Sequence, residues 1–312
     1  MKPSDVLRFL GGLGLAALIL GAVVLRVTSC APSPAPRAPP HTSAVTAPRS
    51  SLPPAPRASA EACGAGPGEA ARANAASLTS LAWSPFGRAE IGWETYAPLI
   101  AREIATACPP DTPGFAAALA AWQERQHLLA DGIMTADLFA RQRDIIELRR
   151  PFVRVSARGI CPAPPAESSL ASATPDEGYS RKPIQLRPGA LAAWRVMAAA
   201  ARAEDPRIAA DPRNLTIFSG YRSPAADDAR CASELNCDNR VRSTCSAHRT
   251  GLALDLYVGQ APGFGPDSSA DPNRLFMSRT PTYRWLAANA ARFGFAPYPF
   301  EPWHWEWTGE AP

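Results

Sequence analysis

Hydrophobic residues are spread unevenly along this chain, and their spacing changes several times. Phe9 to Leu25 is an uninterrupted apolar run of 17 residues, with Lys2 and Arg8 before it and Arg26 closing it. From 31 to 60 large apolar residues almost vanish, and Pro, Ala, Ser and Arg take their place. They return from about 61 to 151 at helical spacing. Tyr96, Leu99, Ile100 and Ile104 recur every three or four residues, and Phe115, Leu119 and Trp122 fall on one helix face. Asp131-Gly132 predicts a turn before a further short helix.

Beyond a loop from Pro162 to about Lys182 the pattern mixes two periods. Ala190 to Ala203 reads as a helix with Leu191, Trp194 and Ala198 on one face, and Leu215 to Phe218 as a short strand ending at Ser219-Gly220. Thr280-Pro281 supplies a capping hydroxyl and a first-turn proline for a helix that runs through Trp285 and Leu286 to Phe293, where Gly294 stops it. Helices mixed with short strands, without regular strand–helix alternation, predict an α+β fold. The expected architecture is a small domain with an antiparallel sheet and flanking helices, preceded by a helical module.

The first sixty residues change the picture from a cytosolic to an exported protein. A positively charged start followed by an apolar run reads as an export signal, at the short limit for a membrane span. Val27-Thr28-Ser29-Cys30 resembles a lipoprotein processing site, which would leave Cys30 lipidated. Arg26 sits where such sites are normally uncharged, which favours an uncleaved signal anchor. Either outcome tethers the protein to the membrane, on its periplasmic or cell-surface face. The Pro/Ala-rich stretch cannot bury enough surface to offset its ordering entropy, so it is expected to be a disordered tether. Cys63, Cys108, Cys161, Cys231, Cys237 and Cys245 form an even set, which in an exported chain predicts disulfides. The close spacing of the last three allows a local bridge; a structural zinc site is the rival, though no paired C-x-x-C knuckle is present.

The formal charge of +4 is small for 312 residues, and no run of Lys and Arg interleaves with aromatics, so a nucleic-acid partner is not expected. The expected regions are therefore 1–30 signal anchor or lipoprotein signal, 31–60 tether, 61–160 helical module, 161–182 linker and 183–312 a catalytic domain. Nothing in the sequence fixes the oligomeric state.

Two segments of that last domain carry chemistry. In Ser246-Ala-His248-Arg-Thr-Gly251-Leu-Ala253-Leu-Asp255, a strand from Gly251 to Val258 would send Leu252, Leu254 and Leu256 into a core. Gly251, Ala253 and Asp255 would share the other face, an open floor with one carboxylate, and His248 could reach back over it. Either a metal or a buried Asp–His pair reconciles these features. In Glu301-Pro-Trp303-His304-Trp305-Glu306-Trp307 the indoles form one face, with His304 and Glu306 on the other. Pro302 cannot join a regular ladder, so the alternation is expected to break there and turn Glu301 toward His304. Two His and one Asp leave a fourth position open, the arrangement of a catalytic zinc, with a nearby carboxylate as base.

Together, Ser-x-His-x-x-Gly-x-Ala-x-Asp and Glu-Pro-Trp-His resemble the signature of the zinc D-alanyl-D-alanine carboxypeptidases of the VanY type. These are peptidoglycan peptidases, a wider group that includes L-alanyl-D-glutamate endopeptidases. The resemblance runs from about Ile184 to Gly309. It implies Zn²⁺ as cofactor, His248, Asp255 and His304 as its ligands, Glu301 as catalytic base, and peptidoglycan stem peptides as substrate. Ser219-Gly-Tyr-Arg222-Ser223 matches the family element whose arginine grips the peptide. The resemblance thus implies substrate binding by Arg222, with the hydroxyl of Ser246 nearby. Relatives commonly carry Gln four residues after Ser223, where this chain has Asp227, and a Cys231–Cys245 insertion follows; both leave the peptide preference open. A catalytically silent wall-binding protein is the other functional class. Upstream, Trp122-Gln123 followed by Leu128 and Asp131-Gly132-Ile133 resembles the small helical peptidoglycan-binding repeat, although Met134-Thr135-Ala136 replaces the usual Gly-Pro-Thr. A helical packing module without ligand is the alternative, and a scaffold for other wall enzymes a third function.

Overall fold

Eight strands and eleven helices make up the residues described, 59–234 and 245–312, in a computed structural model of the chain. The apolar run 9–25, Cys30, the tether up to residue 58, and Cys237 lie outside them. All described residues belong to one unit. None of their helices is long and apolar enough to cross a membrane.

The N-terminal part is built from α1 (Ala60–Gly64), α2 (Gly68–Ser77), α3 (Ala97–Glu103), α4 (Pro113–Arg125), α5 (Ala136–Glu147) and α6 (Pro151–Ser156). A two-stranded antiparallel ribbon, β1 (Ala82–Trp83) and β2 (Glu90–Ile91), interrupts them. Thr112 and Thr135 cap α4 and α5 by accepting from Phe115 and Leu138 amides. Phe115, Leu119 and Trp122 are buried together with Trp93, Tyr96 and Ile100, as their helical spacing predicts. The Gln and Asp-Gly of the repeat-like motif serve each other. Gln123 Nε2 donates to Asp131 Oδ1 (2.8 Å), and the Gly132 amide donates to Gln123 Oε1 (2.7 Å). These polar groups close the turn before α5.

A disulfide between Cys63 and Cys108 ties α1 to the approach of α4. It closes a loop of 45 residues, so its loss by double Cys→Ser substitution should cost about 2–4 kcal/mol. The urea midpoint of the oxidised protein should fall accordingly; an unchanged midpoint would show the loop is already constrained in the unfolded chain.

The remaining strands and helices are β3 (Ala171–Ser172), β4 (Gln185–Leu186), α7 (Pro188–Glu204), α8 (Pro206–Ala209), β5 (Ile217–Ser219), α9 (Pro224–Glu234), β6 (Ala253–Leu256), α10 (Asp271–Arg279), α11 (Pro281–Asn289), β7 (Phe295–Pro297) and β8 (His304–Trp307). Four strands form the main sheet, in the order β5-β6-β8-β7, antiparallel throughout. This is the α+β arrangement with an antiparallel sheet and flanking helices. β3 pairs with β4, so residues between the two halves add a second small ribbon.

Alternation works as the sequence predicts. Leu252, Leu254 and Leu256 enter the core with Trp303, Trp305 and Trp307, while Asp255 and His304 share the other face as direct register partners. Thr280 caps α11, which passes through a 3₁₀ turn, Ala290–Phe293, before Gly294 ends it in the left-handed region. Leu99 of α3 and Ile146 of α5 join this same core, so the N-terminal helices and the sheet domain share buried apolar surface. Cys161 is bonded to Cys245, pinning the entry of the His248 segment to the chain after α6. Of the three closely spaced cysteines, Cys245 reaches across 84 residues to Cys161 and Cys231 is disulfide-bonded as well, while Cys237 lies outside the described residues.

Candidate active site

A cleft of about 720 Å³ opens over the polar face of the main sheet. Its floor is Asp255 at the centre of β6, flanked in register by Ser219 of β5 and His304 of β8. His248 approaches from the side, in a 3₁₀ turn, Ala247–Thr250. Ser246 caps that turn by accepting from the His248 amide (3.2 Å), and Gly251, at φ 69°, ends it in the left-handed region that favours glycine. The strand therefore begins at Ala253 rather than Gly251.

The segment Ser219–Arg222 locks His248 from above. The Tyr221 amide donates to the Gln185 carbonyl (2.7 Å) and the Arg222 amide to the His248 carbonyl (3.3 Å). His248 Nδ1 lies 2.8 Å from the Gly220 carbonyl oxygen, so it carries the proton and donates it there. A Cβ at Gly220 would meet the Gln185 carbonyl oxygen at 2.6 Å, which accounts for glycine at this close approach.

That hydrogen bond leaves His248 Nε2 bare, 3.2 Å from Asp255 Oδ2. His304 Nδ1 lies 3.0 Å from Asp255 Oδ1, and its Nε2 lies 3.4 Å from Glu306 Oε1. With a proton on Nε2 for Glu306, His304 also turns a bare nitrogen toward the Asp255 carboxylate. Two lone pairs and a carboxylate converging within 4.8 Å repel one another unless a proton or a metal cation sits among them. Protons on the histidines can take that place. Burial, the largest influence on His304, lowers its pKa, but hydrogen bonds to Asp255 and Glu306 and the Asp255 charge outweigh it and push it up to about 9. Burial would raise Asp255, yet the charges and hydrogen bonds of the two histidines hold it well below the ordinary carboxylate range. His248, Asp255 and His304 are each no more than 7% exposed. N and O donors of this kind and number fit zinc, with room in the cleft for a fourth ligand.

Glu301 stands beside this group rather than in it. Pro302 forces a turn instead of a kinked strand: the His304 amide donates to the Glu301 carbonyl (2.9 Å), which places the Glu301 carboxylate 4.0 Å from His304 Nδ1. Although 31% of its side-chain surface reaches solvent, its carboxyl sits in the crowded floor of the cleft. Desolvation there, reinforced by the Asp255 charge, raises its pKa against the pull of His304, His248 and Arg150.

Arg222 and Ser246 meet as neighbours, Arg222 Nη2 donating to Ser246 Oγ at 3.0 Å. Arg222 Nε donates to Asp227, a residue the sequence marked only as a departure and which is 4% exposed. Sequence reasoning also missed a group from the N-terminal half: Phe86, Arg88, Arg150 and Phe152 line the same cleft. No local periodicity points to them.

Residues 183–310 match the profile of the VanY family, described as D-alanyl-D-alanine carboxypeptidase. The match extends one residue beyond each end of the stretch that resembles this family by its motifs. No curated protein matches the chain.

Proposed function

We propose, taking the VanY identity of residues 183–310 as premise, that this protein is a zinc-dependent D-alanyl-D-alanine carboxypeptidase that trims peptidoglycan stem peptides outside the cytoplasm. The observation that carries the reading is the convergence of His248, Asp255 and His304 beside a non-ligating carboxylate, Glu301, in an open cleft. The export signal read from the N-terminus and the disulfides support extracytoplasmic action, with the N-terminal segment as membrane tether.

His248 through Nε2, Asp255 through its carboxylate and His304 through Nδ1 would hold the metal, which when bound supplies Lewis-acid polarisation and an acidified water. Glu301 takes a proton from the attacking water and delivers it to the leaving amine, and its place beside the donor set, 4.0 Å from His304 Nδ1, suits that role. Arg222 binds the substrate's terminal carboxylate. One N–H on Nε and one on Nη2 are committed to Asp227 and Ser246, which leaves three N–H groups for the substrate and at least one charge-assisted hydrogen bond to its carboxylate.

Such a bond contributes about 1.5–3 kcal/mol, roughly 10–150-fold. Arg222→Met is therefore expected to lower kcat/KM by that factor while zinc content stays unchanged. A C-terminally amidated peptide should lose the same factor with the unsubstituted enzyme and little more with the variant. Equal sensitivity of both proteins to amidation would remove Arg222 from the carboxylate site.

The deciding experiment is digestion of purified muropeptides with product masses read out, with and without a chelator. Loss of one terminal alanine, abolished by the chelator and restored by zinc, supports the assignment. Cleavage inside the stem peptide would instead make the protein an endopeptidase of the same group, and no cleavage at all with zinc bound would leave a wall-binding protein.

A further inference from the structure

Arg150 ties the N-terminal helices to the candidate metal site through Glu306. Arg150 lies between α5 and α6, and only 8% of its side-chain surface is exposed. Its Nε and Nη2 each lie 2.7 Å from Glu306 Oε1, and its Nη1 donates to Glu147 Oε2 at 2.7 Å. The guanidinium lies 4.2 Å above the ring of Tyr298, which itself meets the His304 ring edge-on at 5.9 Å. Glu306 is 2% exposed at its side chain, and its second oxygen accepts from the Phe152 amide at 3.0 Å. Both oxygens of this buried carboxylate are thus held by the residues Arg150 and Phe152, more than 150 positions away in sequence, and Glu306 Oε1 still faces His304 Nε2 at 3.4 Å.

We infer that Arg150 is a positioning residue of the metal centre: by fixing the Glu306 carboxylate it sets which nitrogen of His304 carries the proton and which way the ring faces. A metal-ligating imidazole is oriented by the acceptor on its other nitrogen, and loss of that acceptor typically costs 10–100-fold in metal affinity. Glu306 can act as that acceptor only while its charge is compensated, since a carboxylate this deeply buried is untenable alone. Its compensation comes from outside the VanY-matched stretch, 183–310. The helical half is accordingly part of the active site and not an appendage to it.

The inference rests on His248, Asp255 and His304 binding zinc, and the test separates the two. Zinc affinity of the full-length protein is measured by competition with a chromophoric chelator, and the geometry is read from the visible spectrum of the cobalt(II)-substituted protein. Glu306→Gln, nearly identical in shape, decides: a 10–100-fold weaker zinc affinity with an altered cobalt spectrum is expected. Arg150→Met should reproduce both effects. Arg150→Lys, which keeps the charge but not the planar fork, should restore part of the affinity. Arg154→Met, on the next turn, should leave both readouts unchanged. Wild-type zinc affinity and cobalt spectrum in Glu306→Gln would overturn the inference while leaving the zinc assignment standing. Failure of the unsubstituted protein to bind zinc would overturn the functional reading itself.

Discussion

Glu301→Gln is expected to lower kcat by about 10²–10⁴-fold, with zinc content and melting temperature unchanged. The size follows from what a positioned base contributes to proton transfer, and the selectivity follows from geometry. Glu301 is held by the turn at Pro302, with its carboxylate 4.0 Å from His304 Nδ1, beside the donor set rather than within it. Glutamine keeps the shape of the side chain and removes its ability to accept a proton. KM should change far less than kcat, because the proposed substrate-binding residues Arg222 and Ser246 are untouched by the substitution. Glu301→Ala should behave alike, retaining zinc and losing turnover. Full activity in either variant would show that another group takes the proton.

Arg274→Met is expected to destabilise the protein by about 3–5 kcal/mol, which for a chain of this size lowers the melting temperature by roughly 6–20 °C. Arg274 of α10 is 1% exposed at its side chain and meets Glu90 of β2, itself 6% exposed. The contact is two-pronged, Nη1 to Oε1 at 2.8 Å and Nη2 to Oε2 at 3.1 Å. The Tyr96 hydroxyl bridges the pair, accepting from Arg274 Nη2 and donating to Glu90 Oε2, each at 2.6 Å. The guanidinium also packs 4.2 Å from the centre of the Phe300 ring, next to Glu301. Methionine would fill much of the space and leave the Glu90 carboxylate buried without its counter-charge. That stranded charge is the source of the cost, so the double variant Arg274→Met/Glu90→Gln should regain much of the loss while still giving Tyr96 an acceptor. A single variant melting within about 1 °C of the unsubstituted protein would mean that water reaches Glu90 readily. The pair lies between the N-terminal ribbon and the sheet domain, so the expected unfolding is one cooperative transition for both halves.

The candidate-site motifs were legible because each is contiguous. His248 and Asp255 lie within one turn and the strand after it, so period-two alternation alone assigns Asp255 to the floor and the leucines to the core. The same alternation separates His304 from the indoles. Thr280-Pro281 and Gly294 mark a helix because caps are local chemistry. The reason for Glu301's placement was only half visible: Pro302 signals a break, but the hydrogen bond that makes it a turn is a property of the folded backbone. Two short ribbons, β1–β2 and β3–β4, were missed, since two-residue strands carry no periodicity.

Sequence by itself therefore determined the α+β class, the core faces and the face that His304 and Asp255 share. Tertiary structure decided the order of the main sheet, the partnership of Arg222 with Asp227, the bond from Cys161 to Cys245, and the ion pairs Arg150–Glu306 and Arg274–Glu90. Periodicity and capping report on residues within a turn or a strand of each other. A buried charge instead takes whatever partner the closed chain brings within about 3 Å, and partners 156 and 184 positions apart leave no mark in the spacing of either segment.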